Sequence, residues 1–263
     1  MPHSPIVLRR GSFLLLFILF VATTARATTV VTLGDSTTED NSKTTPAYPA
    51  ILASDASNLT TINEGLSGDT SAGGLARLGS IIALHPQIVV IQYGGGDSFW
   101  EAGAAGPHVT VPNYVANLTT MVRLLRGAGI TPVLMTPDPF LLPPPEVNYG
   151  PYAAQTPDDL AQVYAAAVRT LAPQLNVPLV DAFAALSGAL GNLAISNSSY
   201  YFDYRHPTTL GEAVVAAAVQ PVIASLVPEP SSFWIAGMAL LGMLVAAKAH
   251  RKAFLTDDPS HAL

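Results

Sequence analysis

Cysteine is absent from the 263 residues, which excludes disulfides and thiolate metal sites and leaves the redox compartment open. Charge is scarce: 11 % of residues are charged, the net charge is -6, and no long basic run offers a surface to nucleic acid. The histidines at His3, His85, His108, His206, His250 and His261 never fall at ligand spacing, so neither a metal nor any other cofactor is expected. What the chain has in quantity is apolar surface. With 49 % hydrophobic residues it can bury a full core, and its length leaves room for one domain plus sorting segments.

The N-terminal stretch reads as such a segment. Arg9-Arg10 precedes the apolar run from Phe13 to Ala22, and Ala25-Arg26-Ala27 follows as a small-x-small cleavage site. The apolar run is about ten residues, too short to span a bilayer comfortably. Residues 1–27 are therefore expected to be a signal peptide that exports the chain.

From Thr28 onward strands and helices alternate. Strands are expected at Val30 to Leu33, Leu59 to Asn63, Ile88 to Gln92, Pro132 to Met135 and Leu179-Val180. Helices are expected at Pro46 to Ala56, Thr70 to Leu84 (broken in places by Gly73-Gly74 and Gly79), Pro112 to Arg126, Asp158 to Leu175 and Leu210 to Leu226, with a proline-rich loop from Pro137 to Pro151. Strands separated by helices imply right-handed crossovers and a parallel sheet covered on both faces, an α/β sandwich whose sites collect at the carboxyl ends of strands.

The run Val30-Val31-Thr32-Leu33 stops at Gly34-Asp35-Ser36, so Ser36 is displayed where a buried strand ends. A hydroxyl is a poor nucleophile until a base takes its proton. Asp203-Tyr204-Arg205-His206-Pro207, far downstream, supplies an acid and an imidazole three residues apart. Each part has a plainer reading, Gly-Asp-Ser as a turn and His206 as a cap on the helix after Pro207. Together they point to a serine hydrolase. Asp158-Asp159 suit a helix N-terminus, His85 a helix C-terminus, and His108 lies in a loop. Phe99, Trp100, the Pro143-Pro144-Pro145 loop and the aromatics around Tyr201 could wall a pocket, with packing the plainer reading for most of the latter.

Four stretches in order, Gly34-Asp35-Ser36, Asn63 to Thr70, Gly94-Gly95-Gly96-Asp97 and Asp203 to Pro207, resemble the successive blocks of the SGNH/GDSL hydrolases. The resemblance covers nearly all of Thr28 to Leu226. It implies a flavodoxin-like three-layer α/β/α sandwich and hydrolysis of carboxylic esters on a small molecule or a glycan. By the same resemblance Ser36 is the nucleophile, His206 the general base and Asp203 the acid that orients it. The backbone N–H groups of Ser36 and Gly68 correspond to the oxyanion donors. Asp35, Asp97 and Tyr204 are candidates for the substrate pocket, with support of its loop by hydrogen bonds the plainer reading of Asp97. One position departs from the pattern: where the family has an asparagine whose amide joins the oxyanion hole, this chain has Gly96, which can offer only its backbone. An asparagine placed there is expected to restore a donor. The departure also admits a second function, an impaired member that binds an acylated or carbohydrate ligand.

After Val227 the composition changes. Val227-Pro228-Glu229-Pro230 leads into an apolar segment from Phe233 to Ala247 and then Lys248, His250, Arg251 and Lys252. About 15 residues make a helix of about 22 Å, a marginal membrane span. The tripartite tail at 227–252 resembles the PEP-CTERM sorting signal, read by an exosortase-like enzyme, with residues 253–263 left as a polar tail; an ordinary C-terminal anchor is the alternative. The basic end is expected to stay cytoplasmic and the 28–226 domain outside, in the envelope or beyond it.

Overall fold

The apolar run ahead of Ser36 forms the second strand of a five-stranded sheet in the computed structural model of the chain. The structure describes residues 27–40, 46–55, 58–99, 106–141, 157–191 and 199–227, and beyond them positions 237, 242 and 243. The chain divides into two units, Arg26–Glu229 and the ends Met1–Ala25 with Pro230–Leu263. The expected signal peptide, and the sorting tail apart from Val227 and those three positions, lie outside the described residues. So do Trp100 and the Pro143-Pro144-Pro145 loop.

The strands are β1 (Thr28–Gly34), β2 (Leu59–Gly65), β3 (Ile88–Gln92), β4 (Thr131–Met135) and β5 (Leu179–Val180), all parallel in the order β2-β1-β3-β4-β5. The alternation of side chains explains why β1 and β3 carry apolar residues at successive positions. Val31, Leu33, Val89 and Ile91 face one layer of helices, while Val30, Ile88 and Val90 face the other.

The first layer contains α2 (Ser71–Ala76), α3 (Leu78–Ala83), α5 (Val111–Gly127) and α6 (Pro157–Leu175). The second contains α1 (Tyr48–Asp55), α7 (Ala182–Leu190) and α8 (Thr209–Leu226); the short α4 (Gly95–Ser98) follows β3 at the site. On α5 the residues Tyr114, Leu118, Met121, Val122 and Leu125 are all buried, the stripe their helical spacing predicts. Gly129, at φ 75°, then lets the chain turn back into β4. The expected three-layer parallel sandwich is the observed one.

Two elements differ from expectation. The broken helix expected over Thr70 to Leu84 is two helices, but the break falls at Arg77 and not at Gly73-Gly74 or Gly79, and the Arg77 side chain reaches toward the ends of β1 and β2. Helix α7 was not anticipated, although Asp181 caps it by accepting from the Ala184 N–H and Gly191 ends it in a left-handed conformation.

Candidate active site

At the end of β1 the chain reverses at once: the Asp35 carbonyl accepts the N–H groups of Thr38 (3.2 Å) and Glu39 (3.1 Å), leaving Ser36 on the outside of the bend. A Cβ at Gly34 would lie 2.1 Å from Thr38 Oγ1 and 2.7 Å from the Gln92 carbonyl oxygen, so only glycine fits before the acid and the serine.

The imidazole comes from the other end of the domain. Ser36 Oγ stands 3.0 Å from His206 Nε2, and His206 Nδ1 lies 2.8 Å from Asp203 Oδ2. Because an ionised carboxylate only accepts, this geometry puts the ring proton on Nδ1 and leaves the Nε2 lone pair for the hydroxyl. Asp203 Oδ1 also accepts the backbone N–H groups of Arg205 (2.8 Å) and His206 (2.9 Å), so the acid closes the turn that presents its own partner. Burial opposes ionisation of Asp203, but the imidazole and these two N–H groups outweigh it and hold the carboxyl well below its ordinary range. Two hydrogen bonds to the segment after β4 anchor this part of the chain: Leu141 N–H donates to the Tyr204 carbonyl (2.8 Å), and the Tyr201 side-chain hydroxyl to that of Pro139 (2.7 Å).

Gly68, at φ 77°, sits in the turn after β2. That turn is brought against the end of β1 because Leu66 N–H donates to the Gly34 carbonyl at 3.0 Å. Among the described residues the Gly68 N–H has no acceptor. The turn is held from below. Asp69 accepts from Arg77 Nε, Tyr93 hydroxyl and the Thr70 N–H, each at 2.9 Å, and Arg77 Nη2 continues to the carbonyls of Glu64 (2.7 Å) and Gly34 (3.2 Å). From above, Ser67 hydroxyl donates to the Glu39 carboxylate.

Three expectations need correction. Gly96 does not turn its backbone to the oxyanion: its N–H donates to Asp35 Oδ2 at 3.2 Å. Asp35 and Asp97 do not line a pocket. Asp35 is 3 % exposed and also takes the N–H (3.1 Å) and hydroxyl (3.0 Å) of Thr37. Asp97 is wholly buried and accepts from Ser71 Oγ (2.5 Å) and from the N–H groups of Ser71 and Gly94 (both 3.1 Å). Both acids fix loops, which for Asp97 is the plainer of its two readings. Burial raises both carboxyls, Asp97 to about 6, against the pull of these hydrogen bonds. Tyr204 is half-buried, its hydroxyl accepting from Arg205 Nη2 at 3.0 Å.

Beneath Asp35 lies a polar layer that sequence reasoning missed. Thr38 hydroxyl donates to Gln92 Oε1 (2.8 Å), and Gln92 Nε2 donates to Asp138 Oδ1 (3.1 Å). Burial, reinforced by the neighbouring Asp35, pushes Asp138 up to about 8. His85 ends α3 at φ 50°, and His108 packs edge-on to Phe99. Among the described residues no group of three or more histidines and carboxylates is placed to hold a metal.

Comparison with known proteins agrees with this architecture. The chain is 34 % identical to the esterase TesA of Pseudomonas aeruginosa over 133 residues, which are 48 % of this chain and 60 % of TesA, less than two thirds of its length. It is 33 % identical to an arylesterase of Vibrio mimicus over 55 % of this chain and 68 % of that enzyme. In fold it resembles an acetylxylan esterase from Geobacillus stearothermophilus, with a TM-score of 0.59 and 22 % identity, covering 74 % of this chain and 93 % of the other. Residues 226–252 match the PEP-CTERM protein-sorting motif, which marks an exported protein anchored in transit by its C-terminal apolar segment. Residues 32–214, from β1 into α8, match the GDSL-like lipase/acylhydrolase family, and the chain belongs to it.

Proposed function

We propose that the chain is an exported serine esterase in which Ser36 attacks the acyl carbon of a carboxylic ester. The observation that carries this reading is the relay from Ser36 Oγ to His206 Nε2 (3.0 Å) and from His206 Nδ1 to Asp203 Oδ2 (2.8 Å). His206 takes the serine proton during attack and returns it to the departing alkoxide, while Asp203 stabilises the imidazolium that forms between these steps. A water activated by the same imidazole then releases the acid. The backbone N–H groups of Ser36 and Gly68 serve the developing oxyanion.

The substrate is an acyl or acetyl ester of a small molecule or a glycan, a class in keeping with the names of the related esterases. Residues 1–27 act as the export signal and 28–226 as the catalytic part. Residues 227–252 are the segment handed to an exosortase-like enzyme, the apolar stretch at 233–247 holding the chain in the membrane until then. Hydrolysis of short to long p-nitrophenyl esters by the purified protein tests the activity. Ser36→Ala should abolish turnover and labelling by a fluorophosphonate with the fold intact; undiminished turnover or labelling removes Ser36 from the mechanism.

A second reading, a binding protein with a disabled site, is favoured by Gly96, which contributes no donor because its N–H is engaged by Asp35. One oxyanion donor is worth about 10² to 10³ in rate. Tight binding of the ester without turnover, with Ser36 unreactive, would select it.

A further inference from the structure

Arg205 stands between the acid and the base of the site in sequence, and the relay above gives its side chain no task. Its guanidinium carbon lies 4.5 Å from the centre of the Phe99 ring, 5.2 Å from Tyr204 and 6.0 Å from Phe140. Nη2 donates to the Tyr204 hydroxyl at 3.0 Å. A planar, weakly hydrated guanidinium is suited to stacking of this kind, attracted by the negative faces of the rings.

The rings belong to different parts of the fold. Phe99 ends α4, its N–H donating to the Gly96 carbonyl at 3.4 Å, and His108 N–H in turn donates to the Phe99 carbonyl at 2.9 Å. Phe140 is buried in the segment after β4. The turn from Asp203 to His206 is tied to that segment by the Leu141 and Tyr201 hydrogen bonds. Arg205 ties it in a second direction, to the segment after β3. The same residue's N–H is bonded to Asp203 Oδ1, so a displacement of residue 205 is passed to the carboxylate that aims the imidazole.

We propose that Arg205 is a positioning residue: stacked on Phe99, it sets the tilt of the Asp203–His206 turn and so the approach of the imidazole to Ser36. The kinetic arm of its test rests on the esterase reading, and a spectroscopic arm does not. The full-length protein is compared with Arg205→Ala, Arg205→Lys, Phe99→Leu and the Arg205→Ala/Phe99→Leu double variant. The readouts are kcat and KM on p-nitrophenyl acetate, the His206 Nδ1–H proton signal by NMR, and the melting temperature.

Arg205→Ala should lower kcat about tenfold with KM within twofold, and should broaden or abolish the Nδ1–H signal. Arg205→Lys should recover part of both effects, and the double variant should be no worse than Arg205→Ala, because both changes break one contact. A raised KM with kcat held would make Arg205 a substrate contact and overturn the proposal. So would a lower melting temperature with kcat and the signal unchanged, or losses in the double variant that simply multiply. If the wild type neither turns over ester nor labels at Ser36, the esterase reading fails, and the NMR signal across the same four variants decides the proposal alone.

Discussion

Gly96 and Asp69 are closed against each other: a Cβ at position 96 would lie 2.1 Å from the Asp69 carbonyl oxygen. The obstacle is backbone, held by Arg77 and Tyr93 through the Asp69 side chain, and cannot swing aside as a flexible side chain could. The asparagine of the family pattern is therefore not simply missing here; its place is filled.

The consequence is that Gly96→Asn should not restore a donor, contrary to the expectation drawn from the motif. Overpacking of this kind costs about 1 to 3 kcal/mol, and the displaced Asp69 carries the Gly68 turn with it. Both kcat and the melting temperature should fall, kcat by about tenfold or more if one oxyanion donor is misplaced. A variant that hydrolyses p-nitrophenyl esters faster than wild type would show that the turn yields.

Asp138 supplies a pH test. Its carboxyl is raised from 3.8 to about 8 by burial and by Asp35, so between about pH 4 and 8 the folded protein holds a proton that the unfolded chain releases. Stability contributed by this group is complete below about pH 4, declines as pH rises through that window, and changes no further above it. Asp138→Asn, an amide that can still accept from Gln92, should remove about one proton's worth of the slope when urea unfolding is followed from pH 5 to 8. Asp35, Asp97 and Glu212, raised in the same direction by burial, keep a residual slope in the variant. An unchanged slope would mean that Asp138 is ionised in the fold.

Arg77 gathers the ends of β1 and β2, Asp69 and Tyr93 around one guanidinium. Its side chain is 21 % exposed and that of Asp69 7 %. Arg77→Ala leaves the Asp69 carboxylate buried without its cation, a change that costs about 3 to 5 kcal/mol. A drop of that order in chemical denaturation is expected, together with slower acylation of Ser36, because the Gly68 turn loses its support. A variant as stable as wild type would place the hold on that turn elsewhere.

The parts of this site legible in the sequence are those written locally. Gly34-Asp35-Ser36 after a β-branched run and Asp203-x-x-His206 each encode a turn by themselves, and the apolar stripe of α5 has a period that burial requires. The parts that were not legible depend on what lies across the sheet. Nothing in the spacing of Thr70 to Leu84 says that Arg77 will be drawn out of a helix by the Gly34 and Glu64 carbonyls. Nor does Gly94-Gly95-Gly96-Asp97 reveal that the Gly96 N–H turns inward to Asp35. Asp35 and Asp97 look like site acids because they stand beside site residues, yet a residue's depth is set by the helices packed over it. Asp138 lay in a stretch read as a loop.

The turn from Asp203 to His206 has one more consequence, for timing. The acid assembles with its imidazole from four consecutive residues, but the serine they serve lies 170 positions upstream of His206 and meets it only across the finished sheet. A chain made from its N-terminus presents Ser36 early and the imidazole that meets it late. Under the proposed mechanism the hydroxyl remains that of an ordinary serine until the turn has docked beside β4 and α8 has packed behind it, so a half-made or unfolded copy has no hydrolytic power in the compartment it is leaving.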